Sequence, residues 1–147
     1  MGTHFLAHKI TPMEQLRDLK RHYEITKQTL KPNAFSCEIS VRPTPLSDEY
    51  ILKVVFRQDP YNPFSVFVLK PNPLKLAKGE IGLPHVYNTK KQELCLYRPK
   101  KREWNNTMFL SKTAIPWAVE WLYFYEVWLC TGEWFGEGEH PPPKKMP

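Results

Sequence analysis

The chain has little cysteine and no two cysteines close together. Cys37, Cys95 and Cys130 are odd in number and widely spaced. That pattern excludes a disulfide framework and reads as reduced thiols in a cytoplasmic protein. There is no Cys-x-x-Cys pair, and the five histidines lack metalloprotease spacing. His4 and His8 stand four apart, but in a segment with weak helix signals, so no metal site is expected. No apolar run approaches the length of about twenty residues that crosses a bilayer. The opening residues lack the apolar stretch of a secretory signal, and Leu6 stands where myristoylation at Gly2 would need Ser or Thr. There is no Gly-x-x-x-x-Gly-Lys loop followed by Ser or Thr, which argues against ATP-driven activation by the chain itself. No internal repeat is visible.

What is present fits one globular domain. The chain has 147 residues, enough for a core without a disulfide or metal staple. Hydrophobic residues make up 41% and aromatics 14%, which excludes a disordered chain. The net charge of +6 permits an acidic partner without requiring one. Residues 1–140 read as the single domain and 141–147, Pro-Pro-Pro-Lys-Lys-Met-Pro, as an extended, flexible tail.

The pattern along the chain is α+β. Thr11-Pro12-Met13-Glu14 is a capping box with proline at the first helical position. Leu16, Leu19, Tyr23, Thr26 and Leu30 recur at helical spacing, which predicts an amphipathic helix over 12–30, ended by Lys31-Pro32-Asn33. The period then changes to two. Phe35, Cys37, Ile39 and Val41 alternate with polar residues, and strands follow over 50–57 and 64–69. Short polar turns between them predict an antiparallel meander. Residues 74–112 lose periodicity. A long irregular stretch in a small domain is usually functional, and its Leu94, Cys95, Leu96, Tyr97 and Trp104 argue against disorder. Ala114 to Trp134 reads as a helix apolar on two faces, with Thr131-Gly132 as its stop.

Among the cysteines, Cys37 lies on the apolar side of a strand and reads as a small buried hydrophobe. Cys130, beside Leu129 at the end of the aromatic helix, reads as core or interface packing. Cys95 follows Lys90 and Lys91 and precedes Arg98, Lys100, Lys101 and Arg102. Nearby cations favour a thiolate, so the residues leave a structural and a reactive Cys95 both open. His85, ten positions upstream, is either a surface histidine in a turn or a partner brought close by a loop return. Basic charge among aromatics is also the pattern of a nucleic-acid groove, but these aromatics fall mainly at helical spacing, which favours a core.

The order of elements and the Cys95 segment resemble the ubiquitin-conjugating E2 family. Leu83-Pro84-His85-Val86-Tyr87 is similar to that family's His-Pro-Asn turn and the residues after it. Leu94-Cys95-Leu96-Tyr97 resembles its catalytic cysteine segment, Trp104 its downstream tryptophan, and Pro60-Tyr61-Asn62-Pro63-Phe64 its Tyr-Pro-Phe element. The likeness spans roughly residues 12–130. The dense aromatic segment ending in Trp134-Phe135-Gly136 and Glu139-His140, and the short C-terminal region, resemble the bacterial E2-like proteins of CBASS antiphage operons. One departure stands out: the family's asparagine is replaced by His85.

The resemblance implies a UBC-like fold with a helix, about four meander strands, an irregular active-site segment and a C-terminal aromatic helix. It implies a transferase that forms a thioester on Cys95 with a partner protein's C-terminus and passes it to an amine, with no cofactor. His85 is the second candidate, to polarise the carbonyl; Tyr97, Trp104 and His140 are accessory candidates. The implied partner is a CD-NTase (a cyclic-oligonucleotide synthase) or a ubiquitin-like protein, with an E1-like activator in some systems, and a homodimer through the aromatic helix stays open. The chain lacks a Gly-Gly end, which argues against its being the conjugated modifier. The alternative is an inactive E2-like docking module.

Overall fold

The computed structural model describes residues 8–97 and 103–136. His140, the tail 141–147 and the basic residues Arg98, Lys100, Lys101 and Arg102 lie outside the described residues. Helix α1 runs Pro12–His22. Its start is the capping box read from the sequence. The Glu14 amide donates to Thr11 Oγ1 at 3.2 Å, and the Thr11 amide donates to Glu14 Oε1 at 3.0 Å. That Thr11 amide, and then the His8 ring, hold the Glu14 carboxyl at about 2, well below its ordinary value.

The helix expected over 12–30 ends at His22, and the rest is a strand. Tyr23 turns extended (φ −137°), and β1 follows at Glu24–Lys31. Leu16, Leu19 and Tyr23 fix the true stripe; Thr26 and Leu30 continue the spacing by coincidence. Leu30 is 44% exposed, and Ile25, Thr26 and Thr29 supply the β-branching that suits a strand. Pro32-Asn33 is therefore not a helix stop but the two-residue turn joining β1 to β2, with Lys31 opposite Ala34.

Strands β2 (Ala34–Val41), β3 (Tyr50–Arg57) and β4 (Phe64–Lys70) lie where period two places them. With β1 they make the four-strand antiparallel meander. Phe35 faces Phe56, Cys37 faces Val54 and Ile39 faces Leu52. These inward residues join Leu16 and Leu19 of α1 in one apolar cluster. The same cluster takes Ala118, Leu122 and Tyr125 from α2, Ala114–Thr131. Gly132 ends α2 at φ 77°, the left-handed cap expected of it. The architecture is the α+β arrangement of helix, meander and aromatic-rich helix, consistent with a UBC-like fold. No helix among the described residues is long and apolar enough to cross a membrane.

The stretch read as irregular holds a short hairpin, β5 (Val86–Asn88) and β6 (Glu93–Leu94), which extends the sheet in the order β1-β2-β3-β4-β6-β5. Two buried glutamines hold this region in place. Gln15 of α1 is 0% exposed; its Nε2 donates to the Met108 carbonyl (2.8 Å) and its Oε1 accepts from the Leu110 amide (2.9 Å). Gln92 is 1% exposed; its Nε2 donates to the carbonyls of Val68 (2.8 Å) and Pro71 (3.0 Å), and its Oε1 accepts from the Leu74 amide (2.6 Å). A side-chain amide thus satisfies backbone groups that would otherwise be buried without partners. Replacing Gln92 with leucine leaves those groups desolvated and unpaired. Gln92→Leu is expected to lower stability by about 3 kcal/mol. The urea midpoint should fall with an unchanged slope, and an unchanged midpoint would show that the amide is not what secures the hairpin.

Candidate active site

The hairpin solves the separation between His85 and Cys95. Its turn is closed by Asn88, whose Oδ1 accepts from the Lys91 amide at 2.9 Å. Val86 lies opposite Leu94, so the residues just outside that pair meet. The Cys95 amide donates to the His85 carbonyl at 3.1 Å. His85 itself is left-handed (φ 48°), an uncommon backbone for a residue with a side chain. The conformation is held from α2: Trp121 Nε1 donates to the carbonyls of Pro84 and His85, both at 3.2 Å. One carbonyl therefore ties the hairpin to the helix at the cysteine.

Cys95 is half-buried at the edge of a cleft of about 130 Å3. His85 and Leu96 form one wall; Trp117, Glu120, Trp121 and Phe124 of α2 form the other. After Gly132 the chain folds back and lays Trp134 on the His85 ring, with centroids 5.3 Å apart and planes at 20°. Trp134 also meets Trp121 at 5.6 Å and Phe124 at 6.0 Å. Gly136 completes this corner. A Cβ there would lie 2.6 Å from Trp134 Nε1, so only glycine fits while the indole keeps its place.

The other candidates take different positions. Tyr97 is half-buried; it stacks on Phe64 (4.9 Å) and faces Trp117 (6.5 Å). Burial raises its phenol above the ordinary value, with the Arg57 charge pulling the other way. Trp104 lies in the core, 6% exposed, edge-on to Phe64 (5.2 Å), with its indole N–H on Thr113 Oγ1 (2.9 Å). It packs against Phe64, on whose ring Tyr97 stacks. His140 falls outside the described residues. Among the described residues no cluster of three or more His, Cys, Asp or Glu is placed to hold a metal ion.

Helical spacing puts Trp117, Trp121 and Phe124 on one face of α2. In the fold Trp121 is buried while Trp117 and Phe124 are only half-covered, and their free edges form the cleft. Glu120, which merely interrupts the apolar run, stands on the same face one turn from Trp117 and Phe124. Beyond the Gly132 cap, Trp134 becomes a cover for His85.

The three thiols differ in environment. Cys37 is buried, and that burial, then the Glu38 charge, pushes its thiol up to about 12. Cys130 is not in the core: it is exposed on the outer face of α2, because the buried stripe runs through Tyr125 and Trp128 and leaves position 130 turned outward. Iodoacetamide at pH 8 should therefore label Cys95 and Cys130 in the folded chain and spare Cys37 until denaturant is added, as read by peptide mass mapping. The Cys37 thiol favours the fold below its unfolded value near 9, and that contribution should be lost as pH rises toward about 12. Labelling of Cys37 before Cys95 in native protein would contradict the assigned burial.

Comparison with known proteins agrees with this geometry. No curated protein sequence matches the chain. A family model described as Type II CBASS E2 protein matches residues 15–141, a span that includes the meander, His85, Cys95 and the aromatic helix with Trp134. A match over most of the chain, on a helix–meander–helix body with a cysteine at the edge of a cleft, places it: the chain belongs to the Type II CBASS E2 protein family.

Proposed function

We propose that the chain is a protein-conjugating transferase that carries an acyl group on Cys95. Membership of the family implies antiviral defence and partners from a CD-NTase-associated operon. The donor in this reading is the C-terminus of the CD-NTase or of a ubiquitin-like protein. In systems that carry an E1-like protein, that protein supplies the activated carbonyl; this chain has no Gly-x-x-x-x-Gly-Lys loop of its own.

The reaction has two steps. The Cys95 thiolate attacks the activated carbonyl; a C–S bond forms, and the activating group leaves with its electron pair. An amine of the target, taken as a lysine, then attacks the thioester. A C–N bond forms, the C–S bond breaks, sulfur departs as thiolate and the amine proton passes to solvent. A thiolate leaves far more readily than an amide nitrogen, so the second step runs toward the amide. A free thiol is required, which fits a cytoplasmic setting.

One observation carries the reading: Cys95 is half-buried, beside an open cleft, with its backbone fixed by the His85 carbonyl. A purely structural thiol would look like Cys37. His85 is proposed as the second site residue, with its ring forming the wall against which the acyl group packs. The rival reading, a docking module without chemistry, rests on the histidine in place of the family's asparagine.

The two separate on a non-reducing gel of protein co-expressed with its operon partners. Wild type should show an adduct that reductant removes. Cys95→Ala should abolish it, Cys95→Ser should convert it to a reductant-resistant ester, and Cys95→Lys to a stable amide. No adduct in wild type, with partner binding intact in Cys95→Ala, would leave the docking module standing.

A further inference from the structure

We infer that Glu120 and the aromatic wall of α2 form the subsite that receives the attacking amine, a primary alkylamine such as a lysine side chain. The inference rests on the acyl-transfer reading and gives its second substrate a place. The cleft beside Cys95 has a volume of about 130 Å3. A cavity of about 150 Å3 holds one benzene, so there is room here for a single side chain and not for a folded segment. Cys95 and His85 stand on one side, Trp117, Glu120 and Phe124 on the other, and Trp134 at the corner. Glu120 follows Trp117 by one helical turn and precedes Phe124 by another, so its carboxylate shares a helix face with both rings.

Two observations set the charge of the occupant. The chain has 21 Lys and Arg, yet none is among the described residues lining the cleft, where Glu120 is the one carboxylate. That carboxylate is exposed and makes no hydrogen bond or ion pair among the described residues. Glu126 of the same helix is used differently. Its oxygens accept from Ser47 Oγ (2.7 Å) and the Tyr50 hydroxyl (2.9 Å), which ties α2 to the sheet. A carboxylate with no such duty, set among indole and phenyl rings, attracts a cation through its own charge and through the ring faces. The donor carbonyl is the wrong occupant, because its oxygen gains negative charge on attack and Glu120 repels it.

The same charge assists the chemistry. The amine arrives as an ammonium and sheds a proton to solvent. The neutral nitrogen attacks the thioester carbon, the C–N bond forms, and the adduct carries a negative oxygen and a positive nitrogen. That positive charge is absent from the free amine and fully developed in the adduct. A carboxylate and ring faces beside the nitrogen therefore stabilise the adduct more than the reactants. The nitrogen then loses its second proton to solvent, the C–S bond breaks and sulfur departs as thiolate. Glu120 is exposed and screened by salt, so its effect is about 10-fold and not the 100-fold of a buried group.

Binding is read first, without any acyl group. In wild type labelled at tryptophan with 15N, the Trp117 and Trp134 indole resonances should shift with n-butylammonium and not with n-butanol. In Glu120→Gln the shift should need about 10-fold more ligand. Transfer is read next, in a Cys130→Ser background. Cys95 is acetylated by p-nitrophenyl acetate, which releases p-nitrophenolate, and the acetyl group is then passed to n-butylamine or to 2-mercaptoethanol. The thiol attacks as an anion, so Glu120→Gln should lower transfer to the amine by about 10-fold relative to transfer to the thiol. A merely structural role would slow both alike, and an unchanged ratio overturns the inference. So do indole resonances that ignore n-butylammonium, or that answer n-butanol equally. If Cys95 takes no acetyl group, that counts against the transferase reading, and the indole resonances alone decide the subsite.

Discussion

The carbonyl of His85 accepts from the Cys95 amide and from the Trp121 indole together. That shared oxygen joins three things: the hairpin that presents the sulfur, the helix that walls the cleft, and a histidine held in a left-handed backbone. Each needs the others. Without the indole the hairpin would be tied to the sheet by only a few strand bonds, since β6 is two residues long. Without the hairpin the aromatic face of α2 around Trp121 would stand open to water. The interaction is charge-neutral and mostly buried, so it is insensitive to salt and to pH in the working range.

Around this point the protein relies on rigid, buried side chains. Buried Gln15 and Gln92 satisfy backbone groups of the irregular region and turn a long loop into a fixed platform. Tyr97, Phe64 and Trp104 stack beneath it. Trp134 and Gly136 close the corner over His85 with no space for a Cβ. The cleft beside Cys95 thus has a preformed wall.

Much of the fold was legible in the sequence, and the reasons are local. Thr11-Pro12-Met13-Glu14 and Thr131-Gly132 specify helix ends through their own backbone bonds, so no tertiary knowledge is needed. β2, β3 and β4 alternate cleanly because one face is buried. β1 was hidden because it is an edge strand: with almost nothing buried, its pattern has no period to read, and Thr26 and Leu30 happened to extend a helical one. Cys95 and His85 could be singled out by the charge nearby and by resemblance, but the hydrogen bond between them depends on a register no short motif encodes. Trp117, Phe124 and Trp134 illustrate the remaining gap. Helical spacing says which residues share a face, not whether that face is covered completely or left with an open edge.

The most direct test is the site of covalent attachment. The chain is purified with its operon partners under acidic, non-reducing conditions, digested, and mapped by mass spectrometry. The account predicts a partner C-terminal peptide joined to the Cys95 peptide through a bond that neutral hydroxylamine cleaves. Attachment at Cys37 or Cys130, or an unmodified Cys95 in an otherwise active system, would contradict it.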